Sequence, residues 1–183
     1  KGGHGLRFLG SCAFHQHTLD LMRISRLFNP TLAFYLVTDR RLVEANAYYA
    51  AALAKMQIHI RFRELLRARN ASRAVAYDRD HHDTSLHAPQ HHTSWSFSRF
   101  CEAADLARDE GLGHVLFLDG DVGLFADVAA AYRPFLRQSL VAPCAQCSQD
   151  TLFSPAALQR YCDDAVGFWQ RPPAEIKKLL KQY

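Results

Sequence analysis

The chain has 183 residues, of which 49% are apolar and 22% charged, and its formal net charge is +4 at pH 7. This length fits one domain with a sizeable core, and the charge is too modest and too dispersed for a nucleic-acid-binding surface. An anionic small-molecule ligand remains compatible with it. No apolar run approaches the ~20 residues that span a bilayer, so a membrane anchor would have to lie in sequence outside this chain.

The chain starts at Lys1 rather than Met, so we expect one domain over residues 1–183 that is incomplete at both ends. Five cysteines are an odd number without the density of a disulfide scaffold, and Cys12 and Cys101 stand in apolar contexts typical of small core residues. Asn70-Ala71-Ser72 is a glycosylation sequon only in a luminal or secreted segment. The compartment therefore stays open, with the Golgi or ER lumen expected if the parent protein carries an N-terminal anchor.

Apolar periodicity and turn residues predict alternating strands and helices in the first third of the chain. Asn29-Pro30 should end the first helix, because a residue before proline avoids the helical region. The predicted elements are a strand at Leu6 to Phe14, a helix at Thr18 to Phe28, a strand at Leu32 to Val37, a helix at Arg41 to Lys55 and a strand at Gln57 to Phe62.

Residues 70–93 hold five histidines and three aspartates without periodicity, which predicts a long loop. Alternating elements follow it, and their order favours an α/β domain with a mostly parallel central sheet flanked by helices. These elements are a helix at Ser94 to Glu110, strands at His114 to Leu118, Ser139 to Ala142 and Thr151 to Phe153, and helices at Pro155 to Trp169 and Glu175 to Lys181.

The segment Val115-Leu116-Phe117-Leu118-Asp119-Gly120-Asp121-Val122 carries the chemistry of the chain. A central parallel strand delivers its carboxyl end to the crevice where ligands bind, and carboxylates at i and i+2 lie on one side of an extended backbone. Gly120 between them lets an ion approach closely. Two hard oxygen ligands suit Mg²⁺ or Mn²⁺, although Asp and Gly also form ordinary turns.

These residues resemble the GT-A class of glycosyltransferases, whose Asp-x-Asp motif binds a divalent cation and the diphosphate of a nucleotide sugar. The strand Phe34-Tyr35-Leu36-Val37-Thr38-Asp39 is similar to the "Tyr-x-Val-x-Thr-Asp" strand of the family that includes the blood-group transferases. The continuation Gly123-Leu124-Phe125-Ala126-Asp127-Val128 also looks like the family pattern. The later acceptor-side strand and the further metal ligand of the family are not recognisable in this chain.

The resemblance implies a Rossmann-like fold that transfers a sugar from a nucleotide diphospho-sugar, with a UDP-sugar as the first expectation and the acceptor unassigned. It implies Mn²⁺ or Mg²⁺ at Asp119 and Asp121, and it identifies no catalytic base. The resemblance places seven residues at the nucleotide-sugar site: Ala13, Phe14, Asp39, Arg99, Asp119, Gly120 and Asp121.

The resemblance assigns these residues different parts of the donor. Ala13 and Phe14, at the end of the first predicted strand, would flank the nucleotide base. Asp39 would lie near the nucleoside, and Arg99 would approach the phosphates or the sugar. For Phe14, Asp39 and Arg99 a core or surface role remains an equal alternative.

Other functions use the same or neighbouring residues. Val115 to Leu124 also resembles haloacid-dehalogenase-type phosphohydrolases, in which Asp119 would be the nucleophile and Asp121 the acid/base. Against that class, Gly123 stands where threonine is usual, and the motif falls late in the chain. A non-catalytic relic that binds nucleotide sugar without turnover is a third possibility.

A zinc module is the remaining alternative. Cys144-Ala145-Gln146-Cys147 has the spacing of a zinc knuckle, but zinc sites normally need a second ligand pair. Incidental cysteines and surface-loop histidines are therefore favoured. The histidines concerned are His81, His82, His87, His91 and His92.

Overall fold

A computed structural model of the chain describes residues 16–66, 92–118, 122–142 and 150–180. The chain divides into two compact units, Lys1–Leu65 with Leu116–Phe153 and Leu66–Val115 with Ser154–Tyr183. Each unit is therefore assembled from two stretches of chain that are distant in sequence. The predicted strand at Leu6 to Phe14 lies outside the described residues.

The first stretch of chain alternates helices and strands as predicted from its periodicity. Its parallel sheet pairs two strands in register from Phe34 opposite Ile58 to Thr38 opposite Phe62. The elements are α1 (Gln16–Phe28), β1 (Phe34–Thr38), α2 (Arg40–Glu44), α3 (Ala47–Lys55), β2 (Ile58–Phe62) and α4 (Arg63–Leu66).

The single helix predicted at Arg41 to Lys55 is wrong, since the chain breaks into α2 and α3 at Ala45 and Asn46. The Asn46 side chain accepts hydrogen bonds from the backbone N–H groups of Tyr48 and Tyr49 at 3.1 and 3.4 Å. A short amide side chain that binds nearby backbone N–H groups starts a new helix rather than continuing the old one.

The later elements agree with most of the sequence predictions. The helix predicted at Pro155 to Trp169 is confirmed over the same residues. Residues 92–93 of the predicted loop belong to a helix, and the rest of that loop lies outside the described residues. The elements are α5 (His92–Asp109), β3 (Val115–Leu118), α6 (Val128–Tyr132), a 3₁₀ turn (Arg133–Phe135), β4 (Leu140–Val141), β5 (Asp150–Phe153), α7 (Pro155–Trp169) and α8 (Pro173–Leu180).

The strands β3, β5 and β4 form a three-stranded sheet in that order. β4 and β5 are antiparallel, with Leu140 opposite Phe153 and Val141 opposite Leu152. The described strands thus divide between a parallel pair and a sheet that contains an antiparallel pair. The prediction of an α/β fold is confirmed as a mixed α/β protein.

The core of the first unit lies between α1, α3 and the parallel strand pair. Each fully buried aliphatic side chain of this size contributes roughly 1.5–3 kcal/mol relative to its exposed state. This burial holds α1 on the sheet. The buried cluster consists of Leu19, Leu36, Leu53, Met56 and Ile58.

Arg26, in the last turn of α1, binds the backbone on either side of this core. Its guanidinium donates to Leu32 O at 2.7 Å, to Met56 O at 2.9 Å and to Gln57 O at 3.1 Å. The same group lies over the Phe34 ring, 4.4 Å from its centroid. Burial lowers the pKa of Arg26, but arginine remains charged at any physiological pH, so every donor is available.

The contact to Gln57 supports an uncommon backbone conformation. Gln57 has a φ of 55°, in the left-handed region that follows a helix C-terminus. Its N–H donates to Ala54 O at 2.9 Å, and its carbonyl oxygen accepts from Arg26. Arg26 therefore joins the end of α1, the entry to β1 and the turn from α3 into β2.

We predict that Arg26→Lys lowers the free energy of unfolding by about 2 kcal/mol, because a single ammonium cannot replace a planar guanidinium that donates to five carbonyl oxygens. Urea denaturation followed by circular dichroism measures the change. Arg23→Lys is the matched control on the same helix, since Arg23 binds the exposed Asp20 at the surface. Equal losses in the two variants would contradict the role assigned to Arg26.

Candidate functional site

The metal motif predicted from the sequence, Asp119-Gly120-Asp121, lies outside the described residues, as do Ala13 and Phe14. Both flanks of the motif are described. Leu118 ends β3 on one side, and the segment Val122–Asp127 leads into α6 on the other. The contacts of these two flanking segments show how the chain is fixed before and after the motif.

The upstream flank is the end of β3, which lies at the edge of the sheet that the described strands form. β3 lies beside β5 at the side of the three-stranded sheet, and Phe117 within it is 7% exposed. The neighbouring strand contributes Thr151, Leu152 and Phe153, all of them buried. β3 is thus held by its pairing with β5 and by the burial of Phe117, while Leu118, the residue before the motif, is half-buried.

Two side chains bind the downstream flank: Ser25, in the last turn of α1, and Asn29, directly after that helix. We call this pair of side chains the α1 latch. Leu124 N donates to Ser25 Oγ at 2.8 Å, and Val128 N donates to Asn29 Oδ1 at 2.9 Å. Asn29 Nδ2 donates in turn to Ala126 O at 2.9 Å. Three hydrogen bonds over five residues therefore fix the backbone that follows the motif.

The chemistry of the α1 latch requires an amide at position 29. Asn29 is 2% exposed, and its side chain acts as donor and acceptor at once, with Nδ2 also donating to Ser25 O at 3.1 Å. Ser25 is 3% exposed. Buried polar groups that find partners cost little, whereas those that lose them cost about 1–3 kcal/mol each.

Gly123 lies directly against the Leu21 side chain of α1. A Cβ at this position would stand 2.7 Å from Leu21 Cδ2 and 3.1 Å from Phe125 Cε2. Any side chain there must displace the end of Leu21. The glycine thus permits the close approach that the α1 latch then holds.

Two other aspartates singled out in the sequence lie at the N-termini of short helices. Asp127, part of the family-like continuation, caps α6 by accepting from Ala130 N at 3.0 Å. Asp39, predicted near the nucleoside, is half-buried directly before α2, and its carbonyl oxygen accepts from Leu42 N at 3.1 Å. Both belong to the first unit.

Arg99, predicted near the donor phosphates, belongs to the second unit. It is half-buried in α5, and its guanidinium carbon lies 5.1 Å from the centroid of the Phe100 ring. Burial raises the pKa of the Tyr161 hydroxyl, and the charge of Arg99 opposes that rise. Arg99 therefore places a positive charge close to Tyr161.

Sequence reasoning missed two buried carboxylates in the second unit. Glu102 and Asp105 of α5 are both 0% exposed, and Asp105 Oδ1 accepts from Arg108 Nη2 at 2.5 Å. The apolar periodicity of α5 places them on a polar face, where solvent exposure would be expected. No feature of the sequence marks that face as buried.

No group of three or more histidine, cysteine, aspartate or glutamate side chains that could hold a metal ion occurs within residues 16–66, 92–118, 122–142 and 150–180. The cysteines of the alternative zinc site, Cys144 and Cys147, and His81, His82, His87 and His91 lie outside these ranges. Both metal predictions stay predictions. Across the described part of the chain, no helix is both long and apolar enough to cross a membrane.

Comparisons with protein-family models, with curated proteins and with solved structures found no match to this chain.

We predict that Asn29→Asp lowers the free energy of unfolding by about 3 kcal/mol. The substitution keeps the shape of the side chain but removes the donor to Ala126 O and buries a charge against carbonyl oxygens. Thermal or urea denaturation measures the loss.

Asn46→Asp is the matched control, because Asn46 uses only its acceptor oxygen to cap α3 and an aspartate can do the same. It should leave stability nearly unchanged. A comparable loss in both variants would show that the α1 latch does not depend on an amide donor.

Proposed function

We propose that this chain is the donor-binding part of a metal-dependent glycosyltransferase that moves a sugar from a nucleotide diphospho-sugar, with UDP as the first nucleotide to test. Mn²⁺ or Mg²⁺ would be held by Asp119 and Asp121. The observation that carries the proposal is the position of this Asp-x-Asp pair, directly after β3 and directly before a segment bound to α1.

The chain is fixed on both sides of the Asp-x-Asp pair, which suits a site whose two carboxylates must bind the same ion. Leu118 ends a strand of the three-stranded sheet, and Leu124 is hydrogen-bonded to Ser25 at 2.8 Å. A short connection between two fixed points loses less conformational entropy when it binds a ligand than a free loop does. Pre-ordering of this kind favours metal and diphosphate binding.

The pair of carboxylates also suits the chemistry. Mg²⁺ and Mn²⁺ prefer oxygen ligands and commonly bind carboxylate and phosphate oxygens at the same time. A bound ion of this kind would neutralise the diphosphate leaving group. Gly120 adds no side chain between the carboxylates and the ligand, while Arg99 remains the proposed cation near the phosphates or the sugar.

The proposal includes a finer fold, a GT-A-like Rossmann sheet. In the doubly wound strand order 3-2-1-4, the second and third strands of the chain are parallel neighbours, as β1 and β2 are. The stretch Leu6 to Phe14, predicted as a strand and outside the described residues, would be the first strand of that order. Ala13 and Phe14 at its end would flank the base, and Asp39 would lie near the nucleoside.

Position 123 favours glycosyl transfer over the phosphohydrolase alternative. The phosphohydrolase motif commonly has a threonine two residues after its second aspartate, which is the position of Gly123. A Cβ at Gly123 would stand 2.7 Å from Leu21 Cδ2. A β-branched threonine would therefore have to displace the end of the Leu21 side chain on α1.

We predict that UDP binds in the presence of Mn²⁺ and that Asp121→Asn weakens this binding at least about tenfold, because a neutral amide is a poor ligand for a hard divalent cation. Isothermal titration calorimetry with UDP and GDP, each with and without Mn²⁺, measures the effect. Asp127→Asn is the matched control, since it removes a nearby charge while asparagine still caps α6.

Different outcomes separate the alternatives. Failure of folded protein to bind either nucleotide with Mn²⁺, or equal binding by the Asp121→Asn variant, would overturn the proposal. Hydrolysis of p-nitrophenyl phosphate that depends on Asp119 would identify a phosphohydrolase. Metal-dependent binding without release of UDP from any UDP-sugar would identify the non-catalytic relic.

A further inference from the structure

Two free thiols are buried in the second unit, one on α5 and one on α7. Cys101 is 1% exposed and Cys162 is 2% exposed. The residues directly before them, Phe100 and Tyr161, are in ring contact with centroids 4.8 Å apart. The contact between Phe100 and Tyr161 shows that α5 and α7 pack against each other beside the two thiols.

The two thiols also interact directly. A hydrogen bond to Cys101, together with burial, raises the pKa of the Cys162 thiol. Cys162 lies on the same face of α7 as the buried Leu158 and Val166, one helical turn away on either side. Both thiols are thus buried and within hydrogen-bonding reach of each other.

We propose that Cys101 and Cys162 form a disulfide when the chain folds in the presence of a small-molecule disulfide such as oxidised glutathione. This bond would link α5 to α7 covalently and close a loop that contains residues 119–121. It does not depend on the proposed glycosyltransferase activity.

The chemistry balances by two thiol–disulfide exchanges. The thiolate of one cysteine attacks the disulfide of oxidised glutathione, forms a mixed disulfide and releases one glutathione thiolate. The thiolate of the other cysteine then attacks the protein sulfur of the mixed disulfide and releases the second glutathione thiolate. Two electrons pass from the protein thiols to glutathione, and the two thiol protons go to solvent or to the released thiolates.

The bond must form before α5 and α7 finish packing. In the folded chain the thiols are closed to solvent, and the nearby carboxylates of Asp105 and Asp163 further disfavour a thiolate at Cys162. Since the thiolate is the reactive species, exchange in the folded state should be slow. The same burial would protect a completed disulfide from reductants.

The test compares protein refolded in oxidised and reduced glutathione with protein refolded in excess reductant. Free thiols are blocked with N-ethylmaleimide under denaturing conditions, and tryptic peptides are analysed without reduction. Cleavage after arginine and lysine separates Cys101, in residues 100–108, from Cys162, in residues 161–177. We expect these two peptides to be linked.

Closure of a loop of this length should raise the thermal midpoint of the oxidised protein by about 10 °C over the reduced protein. This comparison uses the natural sequence and needs no variant to fold. The Cys101→Ala and Cys162→Ala variants should each lose the linked peptides and the rise in midpoint. A Cys144→Ser and Cys147→Ser double variant is the control and should retain both.

Complete alkylation of Cys101 and Cys162 after oxidative refolding would overturn the proposal and assign both thiols as ordinary core side chains. Linkage of either one to Cys12, Cys144 or Cys147 in folded protein would overturn it as well. Nucleotide binding is not a readout of this experiment, so its failure and that of the proposed function are distinguishable.

Discussion

The last turn of α1 is the constraint on which the first unit depends, because three polar side chains in it and just after it hold segments that are far apart in sequence. Arg26 donates to the backbone at Leu32, Met56 and Gln57. Ser25 and Asn29 hold the chain after β3, about a hundred residues further on. The end of α1 thus fixes both the chain that enters the parallel strands and the chain that follows the predicted metal motif.

This arrangement bears directly on how the proposed donor site would work. A metal site gains affinity when its ligands are ordered before the ion arrives. β3 orders the chain before Asp119 by pairing with β5, and the α1 latch orders the chain after Asp121 by hydrogen bonds. Gly123 contributes to the same contact with α1, because only a residue without Cβ lets the segment lie against Leu21 without displacing it. Affinity for the donor would therefore depend on residues that never touch it.

The second unit follows a different principle, since a long continuous stretch of α5 is buried. Residues 101–107 of α5 are all buried, including the carboxylates of Glu102 and Asp105. Charges in such a position are stabilised by specific partners, as Asp105 is by Arg108. The same packing of α5 against α7 brings Cys101 close to Cys162. The disulfide proposed for this unit therefore depends on helix packing and not on a sequence motif.

Periodicity in the sequence by itself determined the main elements, since helix α7 and strands β1, β2, β3 and β5 follow local patterns of apolar residues. The sequence also marked Asp119 and Asp121, because their position after a buried strand is a local feature. It identified Asn29 only as a helix terminator and missed the break at Asn46. The tertiary structure alone decided that Ser25 and Asn29 bind the segment after the motif and that Glu102 and Asp105 are buried. It also decided that the described strands divide between two sheets. These outcomes depend on contacts between residues distant in sequence, and no local pattern of residues encodes such contacts.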